Sequence, residues 1–123
     1  MKFVYVFIGG GLGSVCRYLL SLKIYSWYGR LFPLGTLSVN IIGCFMIGFL
    51  FSIFEIIEVH PNIRIFLLIG FLGGFTTFSS FGLETWNLLR QSDYRSSIMY
   101  ILFSNVFGLT AVGCGFFSGR LFR

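Results

Sequence analysis

Apolar residues in this chain fall into four blocks, Phe3 to Leu22, Leu34 to Phe54, Ile65 to Leu83 and Ser96 to Gly119. Each is uncharged or nearly so and reaches the roughly 20 residues a helix needs to cross a hydrocarbon core. Short polar turns separate them, Gly29 to Pro33, His60-Pro61-Asn62 and Gln91 to Tyr94. The pattern predicts an all-α membrane protein, a single domain over residues 1–123 with four transmembrane helices and no internal repeat. Inside the third block lies Gly70-Phe71-Leu72-Gly73-Gly74-Phe75-Thr76-Thr77-Phe78-Ser79-Ser80-Phe81, a run of glycines, hydroxyls and phenylalanines without charge. Glycine weakens a helix by roughly 1 kcal/mol relative to alanine. Irregular backbone survives at bilayer depth only when protein shields it or it lines a cavity. The run therefore predicts a functional break in the third helix.

Composition strengthens the membrane assignment. With 56% hydrophobic residues, 11% charged residues and a mean hydropathy of +0.88, the chain lacks the polar surface of a soluble globule. Lys2 ahead of an apolar run, with Gly13-Ser14-Val15-Cys16 after it, has the outline of a secretory signal; three further spans and Arg17 argue against cleavage. Cys16, Cys44 and Cys114 lack metal-ligand spacing and are expected as buried small apolar side chains. His60 is expected in a solvated loop, and Glu55, Glu58 and Asp93 at span ends or in loops. No cluster of nucleophile, base and acid marks an enzyme.

The net charge of +5 comes from scattered basic residues, which gives no nucleic-acid patch. Lys2, Arg64, Arg120 and Arg123 fall on one side of the membrane and Lys23, Arg30, Arg90 and Arg95 on the other. An excess of Lys and Arg sets orientation, and no excess exists here. The balance predicts insertion both ways and an antiparallel dual-topology homodimer about a twofold axis in the membrane plane. The competing account is that one loop dominates and the tie is accidental. Trp27, Tyr28 and Trp86 are read as interfacial anchors.

Polar groups inside the spans default to function or to contacts between helices. Thr36 and Asn40 lie four apart on one face of the second span. An asparagine amide offers two N–H donors, which suits an anion, but its commoner role is to join helices. Tyr100, Ser104 and Gly108 form a stripe at spacings of four, open to reading as a polar track or as a packing seam. Phe78 and Phe81 lie three apart. Phenyl edges are electropositive and favour an anion without formal charge, although most phenylalanine pairs simply pack. Arg17 either snorkels to the interface or draws anions to a pore entrance, with Glu84 as its partner or as a helix-end carboxylate. Gly9, Gly10, Gly13, Gly43 and Gly48 are expected as packing positions.

Gly9-Gly10-(x2)-Gly13-(x3)-Arg17-Tyr18, Gly35-Thr36-Leu37-Ser38-Val39-Asn40-(x2)-Gly43 and Gly73-Gly74-Phe75-Thr76-Thr77-Phe78-Ser79-Ser80-Phe81 together resemble the Fluc fluoride channels, also called CrcB proteins. The likeness runs over essentially the whole chain. It implies a dual-topology dimer in the cell membrane that passes fluoride passively out of the cell and relieves its toxicity. By that likeness Phe78 and Phe81 are the pore phenylalanines, Asn40 the pore amide, and Tyr100 and Ser104 a fourth-span track. Ser80 stands where the family more often has threonine. The resemblance also implies a structural sodium ion at the dimer centre, held by backbone carbonyls of Gly73 and Thr76 from both copies. Fluoride holds its water strongly, so donors such as Asn40, Ser80 and Ser104 are expected to replace that water. A small dual-topology multidrug transporter is the first alternative, but it needs a carboxylate in the first span, which holds Arg17 and no acid. A noncatalytic membrane assembly protein is the second.

Overall fold

The computed structural model describes residues 1–123 and is helical apart from short turns. Helix α1 (Lys2–Tyr28) is followed by α2 (Leu34–Ile56). The third span is assembled from pieces. Helix α3 (Pro61–Arg64) runs directly into π-helical turns over Ile65–Phe71 and then α4 (Leu72–Phe75). Thr76 and Thr77 have extended backbone, with φ/ψ of −83°/157° and −148°/121°, before α5 (Phe78–Arg90). Helix α6 (Tyr94–Arg120) completes the chain.

Four helical segments are long and apolar enough to cross a membrane, Lys2–Tyr28, Leu34–Ile56, Pro61–Arg90 and Tyr94–Arg120. At about 1.5 Å per residue even the second is about 35 Å long, against a hydrocarbon core of roughly 30 Å. The helices outrun the apolar blocks: α1 continues past Leu22 to Tyr28 and α5 past Leu83 to Arg90. Long charged and aromatic side chains reach headgroups and water from helix ends, so charge does not end a helix.

Local chemistry sets the turns. Gly29 follows α1 at φ +75°, a conformation glycine adopts without strain. His60 accepts from the Asn62 N–H at 3.2 Å and Pro61 opens α3. Asp93 caps α6 by accepting from the Ser96 N–H at 3.2 Å. At the other end of α6, Arg120 pairs with Glu55 of α2 at 2.6 Å.

The glycine pair expected to weaken the third span is itself helical, and the chain leaves the helix only at Thr76. Close packing explains why. Helix α1 lies on the π-helical turns and α4, and a Cβ on Gly74 would strike the Gly10 carbonyl. A Cβ on Gly9 would stand 2.6 Å from the Phe66 carbonyl oxygen. Small residues here let two backbones touch, and that contact outweighs glycine's low helix propensity.

Helix α6 lies along α2 in the same manner, with Gly48 against the backbone of Val112 and Gly115 against that of Phe45. We expect Gly115→Val to push these helices apart and destabilise the protein by about 1–3 kcal/mol or more. Thermal unfolding in detergent checks this. Gly11→Ala, at a position with nothing within 4 Å, should leave the transition in place.

Only 20 of 123 residues are buried, and large apolar side chains such as Phe3, Phe7 and Leu109 stand outside. Such an exterior needs lipid or a second copy to cover it. Among the cysteines, Cys16 and Cys114 are exposed and only Cys44 is half-buried, contrary to the expected burial. A thiol is apolar enough to face acyl chains as readily as a core.

Candidate functional site

Asn40 and Thr77 organise the centre of the molecule. The Asn40 side chain donates from Nδ2 to the Thr77 carbonyl at 3.0 Å and accepts the Thr77 N–H on Oδ1 at 2.9 Å. The amide therefore pairs with the backbone as a neighbouring strand would, and it holds Thr77 out of the helix. One Asn40 N–H remains free of these bonds. Thr77, itself buried, caps α5 by accepting from the Ser80 N–H at 3.1 Å, while its hydroxyl donates to Ser80 Oγ at 3.1 Å.

In a continuous helix the Thr77 N–H would bond to the carbonyl of Gly73. Because it goes to Asn40 instead, no hydrogen bond reaches the Gly73 carbonyl oxygen, and none reaches that of Thr76. Gly73 is exposed, with nothing within 4 Å of where a Cβ would stand. Two unpaired oxygen donors beside open space fit a hard cation such as sodium. No group of His, Cys, Asp or Glu side chains offers a competing metal site.

A second set of bonds centres on Glu84. Its carboxylate accepts from Thr36 Oγ1 at 2.7 Å and from the Tyr100 hydroxyl at 2.7 Å, joining α2, α5 and α6. This corrects the expectation that Glu84 partners Arg17 or ends a helix. It stands inside α5, and its oxygens are engaged by hydroxyls rather than by a guanidinium. A hydroxyl has one proton to give, so Thr36 and Tyr100 are not free to donate elsewhere while these bonds stand. We expect Glu84→Ala to leave both hydroxyls unpaired at about 1–3 kcal/mol each, with Glu84→Gln milder because it keeps a carbonyl acceptor. Comparing their unfolding transitions with that of the unmodified protein checks this order.

The residues singled out in the sequence divide between two clefts. The first, of about 390 Å³, is lined by Asn40, Gly73, Thr76, Phe78, Phe81 and Ser104, among others, and by no charged side chain. Phe78 and Phe81 have ring centroids 5.5 Å apart, and Phe81 lies 5.1 Å from the Tyr100 ring. Ser104 Oγ is buried without a partner. The second cleft, of about 330 Å³, contains Arg17, Arg30, Thr36, Ser80 and Glu84. Thr77 lines both. Tyr100 is wholly buried and lines neither, and Ser79 is exposed while Ser80 faces the second cleft.

The family model for CrcB-like protein, Camphor Resistance (CrcB), matches residues 4–116. The chain belongs to the CrcB family. It is similar to proteins named fluoride-specific ion channel FluC in several bacteria. That of Hydrogenobaculum sp. is 46% identical over 123 residues, covering 98% of this chain and 99% of the relative. Those of Phocaeicola vulgatus and Helicobacter pylori are 46% identical over 110 residues and 44% over 126 residues, covering 89% and 99% of this chain and 91% and 97% of the relatives. With four helices able to span a bilayer, this CrcB chain is a multi-pass membrane protein.

Sequence reasoning underrated two residues of the CrcB chain. Glu84 follows Leu83, the predicted span end, and its charge read as an exit from the membrane. Thr77 passed as one hydroxyl among several, although threonine is among the residues favoured at a helix N-cap. Recognising an N-cap there was the available signal for where α5 starts.

Proposed function

We propose that this CrcB chain forms a fluoride-selective channel in the cell membrane, through which fluoride leaves passively and cytoplasmic fluoride falls. The observation that carries this is the uncharged cleft in which the amide of Asn40 and the hydroxyl of Ser104 accompany the rings of Phe78 and Phe81. The names of its bacterial relatives support the choice of ion.

The chemistry follows from fluoride's tight hydration. Leaving water requires replacement donors, and a full positive charge in the narrow region would hold the ion too firmly. Arg17, in the second cleft, acts at the pore entrance by raising the local anion concentration. Ser80 of that cleft and Asn40 and Ser104 of the first supply neutral donors. Phe78 and Phe81 offer electropositive ring edges. Thr36 and Tyr100 serve the track chiefly by fixing Glu84.

The working unit is two oppositely inserted copies. Balanced basic loops favour both orientations. The extended Thr76–Thr77 pair is read as the functional break of the third span. It lies near mid-span, since α5 takes 13 of the 30 residues from Pro61 to Arg90. A twofold axis in the membrane plane would bring the free carbonyls of Gly73 and Thr76 from both copies together. Their four oxygens would hold the structural sodium ion. When bound, that ion supplies positive charge to carbonyls that lack N–H partners.

Growth tests the function. Bacteria lacking their own fluoride export should grow in fluoride medium when this chain is expressed. Failure to grow with the protein present in the membrane contradicts the proposal and favours an assembly protein. For the dimer, a cysteine placed at Ser92 in a cysteine-free variant should react with an impermeant reagent in about half of the copies in intact cells. Labelling of all copies or none would contradict dual topology.

A further inference from the structure

Helix α6 carries an amide whose hydrogen bonds are only partly made. Asn105 is exposed and lies on one helical face with Ile101 and Leu109, both apolar and exposed. Its Nδ2 donates to the Ile101 carbonyl at 2.8 Å. Thr110 and Ser118 on the same helix bond back to their own i−4 carbonyls at 2.7 Å. For those hydroxyls the bond exhausts the only proton. For the asparagine it does not: a second N–H and the amide oxygen remain without a partner in the chain. An amide left this way against hydrocarbon is strongly unfavourable, so its position calls for a polar neighbour outside the chain.

That position lines the first cleft, together with Asn40 and Ser104. The two asparagines are arranged alike. Each is anchored by one Nδ2 bond to a backbone carbonyl, Asn40 to Thr77 and Asn105 to Ile101, and each keeps one N–H in reserve. Asn40 alone offers the cleft a single free amide hydrogen. A dehydrated fluoride needs several donors around it, and no positively charged side chain lines the cleft to substitute for them.

We propose that Asn105 is a second amide donor to fluoride in this cleft, acting with Asn40. The inference rests on the channel reading above. Its anchoring bond to Ile101 fixes the side chain in advance, so little rotamer freedom is lost when the ion arrives.

The test uses the full chain reconstituted into liposomes, with fluoride efflux normalised to the amount of dimer. Asn105→Leu should lower efflux by about tenfold to a hundredfold, the rate equivalent of one hydrogen bond to a charged group. The isosteric Asn105→Asp, which retains the shape but loses the donors, should lower it at least as far. Efflux per dimer equal to that of unmodified protein in either variant overturns the inference. If Asn105→Leu does not assemble, Asn105→Asp decides. Unmodified protein that releases no fluoride above empty vesicles removes the channel reading itself, and the inference with it.

Discussion

Asn40→Leu is expected to lose fluoride efflux and fold stability together. Leucine is close to asparagine in size and suits the membrane better, so hydropathy alone predicts a neutral or stabilising change. The bonding predicts the opposite. Asn40 satisfies both the N–H and the carbonyl of buried Thr77. Removing it leaves two backbone groups unpaired in a low-dielectric setting, at about 1–3 kcal/mol each. The chain can recover the Thr77 N–H only by winding it back toward Gly73, which extends α4 and realigns Phe78 and Phe81. The expected result is a lowered unfolding transition in detergent and efflux near that of empty vesicles. Asn40→Asp should fail as well, because a carboxylate can accept from the Thr77 N–H but repels its carbonyl. If Asn40→Leu conducted normally with unchanged stability, the Asn40–Thr77 link would have no part in the pathway.

The second large effect is expected at the paired rings, and here flux and stability should separate. Phe78 is 82% exposed, so Phe78→Ala removes little packing within the chain. Phe81 sits between Phe78 and Tyr100, with ring centroids 5.5 Å and 5.1 Å away, and Phe81→Ile keeps an apolar side chain there. Both variants should assemble. Each lacks the electropositive ring edge, and each should slow fluoride by about tenfold or more, the rate equivalent of about 1.4 kcal/mol. An electrode trace from vesicles loaded with fluoride reads this directly. Unmodified rates in both variants would confine the rings to packing.

The spans were legible because lipid demands about 20 apolar residues in sequence, and that demand is local. The turns were legible for the same reason, through Gly29, Pro33 and Pro61. What escaped the sequence was set by contacts between distant segments. The π-helical winding of Ile65–Phe71 has no residue signature and accompanies packing on α1. Gly73 and Gly74 are themselves helical, and Asn40, 37 residues before Thr77, bonds to the residue at which the backbone is extended. Glu84 was misplaced because a carboxylate in a hydropathy profile looks like an exit from the bilayer. Thr36 and Tyr100 donate hydrogen bonds to its oxygens from two other helices, which a linear reading does not reveal. Asn40, Phe78, Phe81 and Ser104 were recognisable as polar or aromatic groups in apolar runs, and the fold brings them to one cleft. Arg17, Thr36 and Ser80 belong to the other cleft.

Neutral donors and phenyl edges, with no charged side chain in the first cleft, should pass fluoride and hold back chloride. Ion-selective electrode recording from liposomes loaded with both halides and containing the unmodified protein tests this most directly. Rapid loss of fluoride with chloride retained is the predicted result. Equal release of the two ions, or release of neither above empty vesicles, would contradict it.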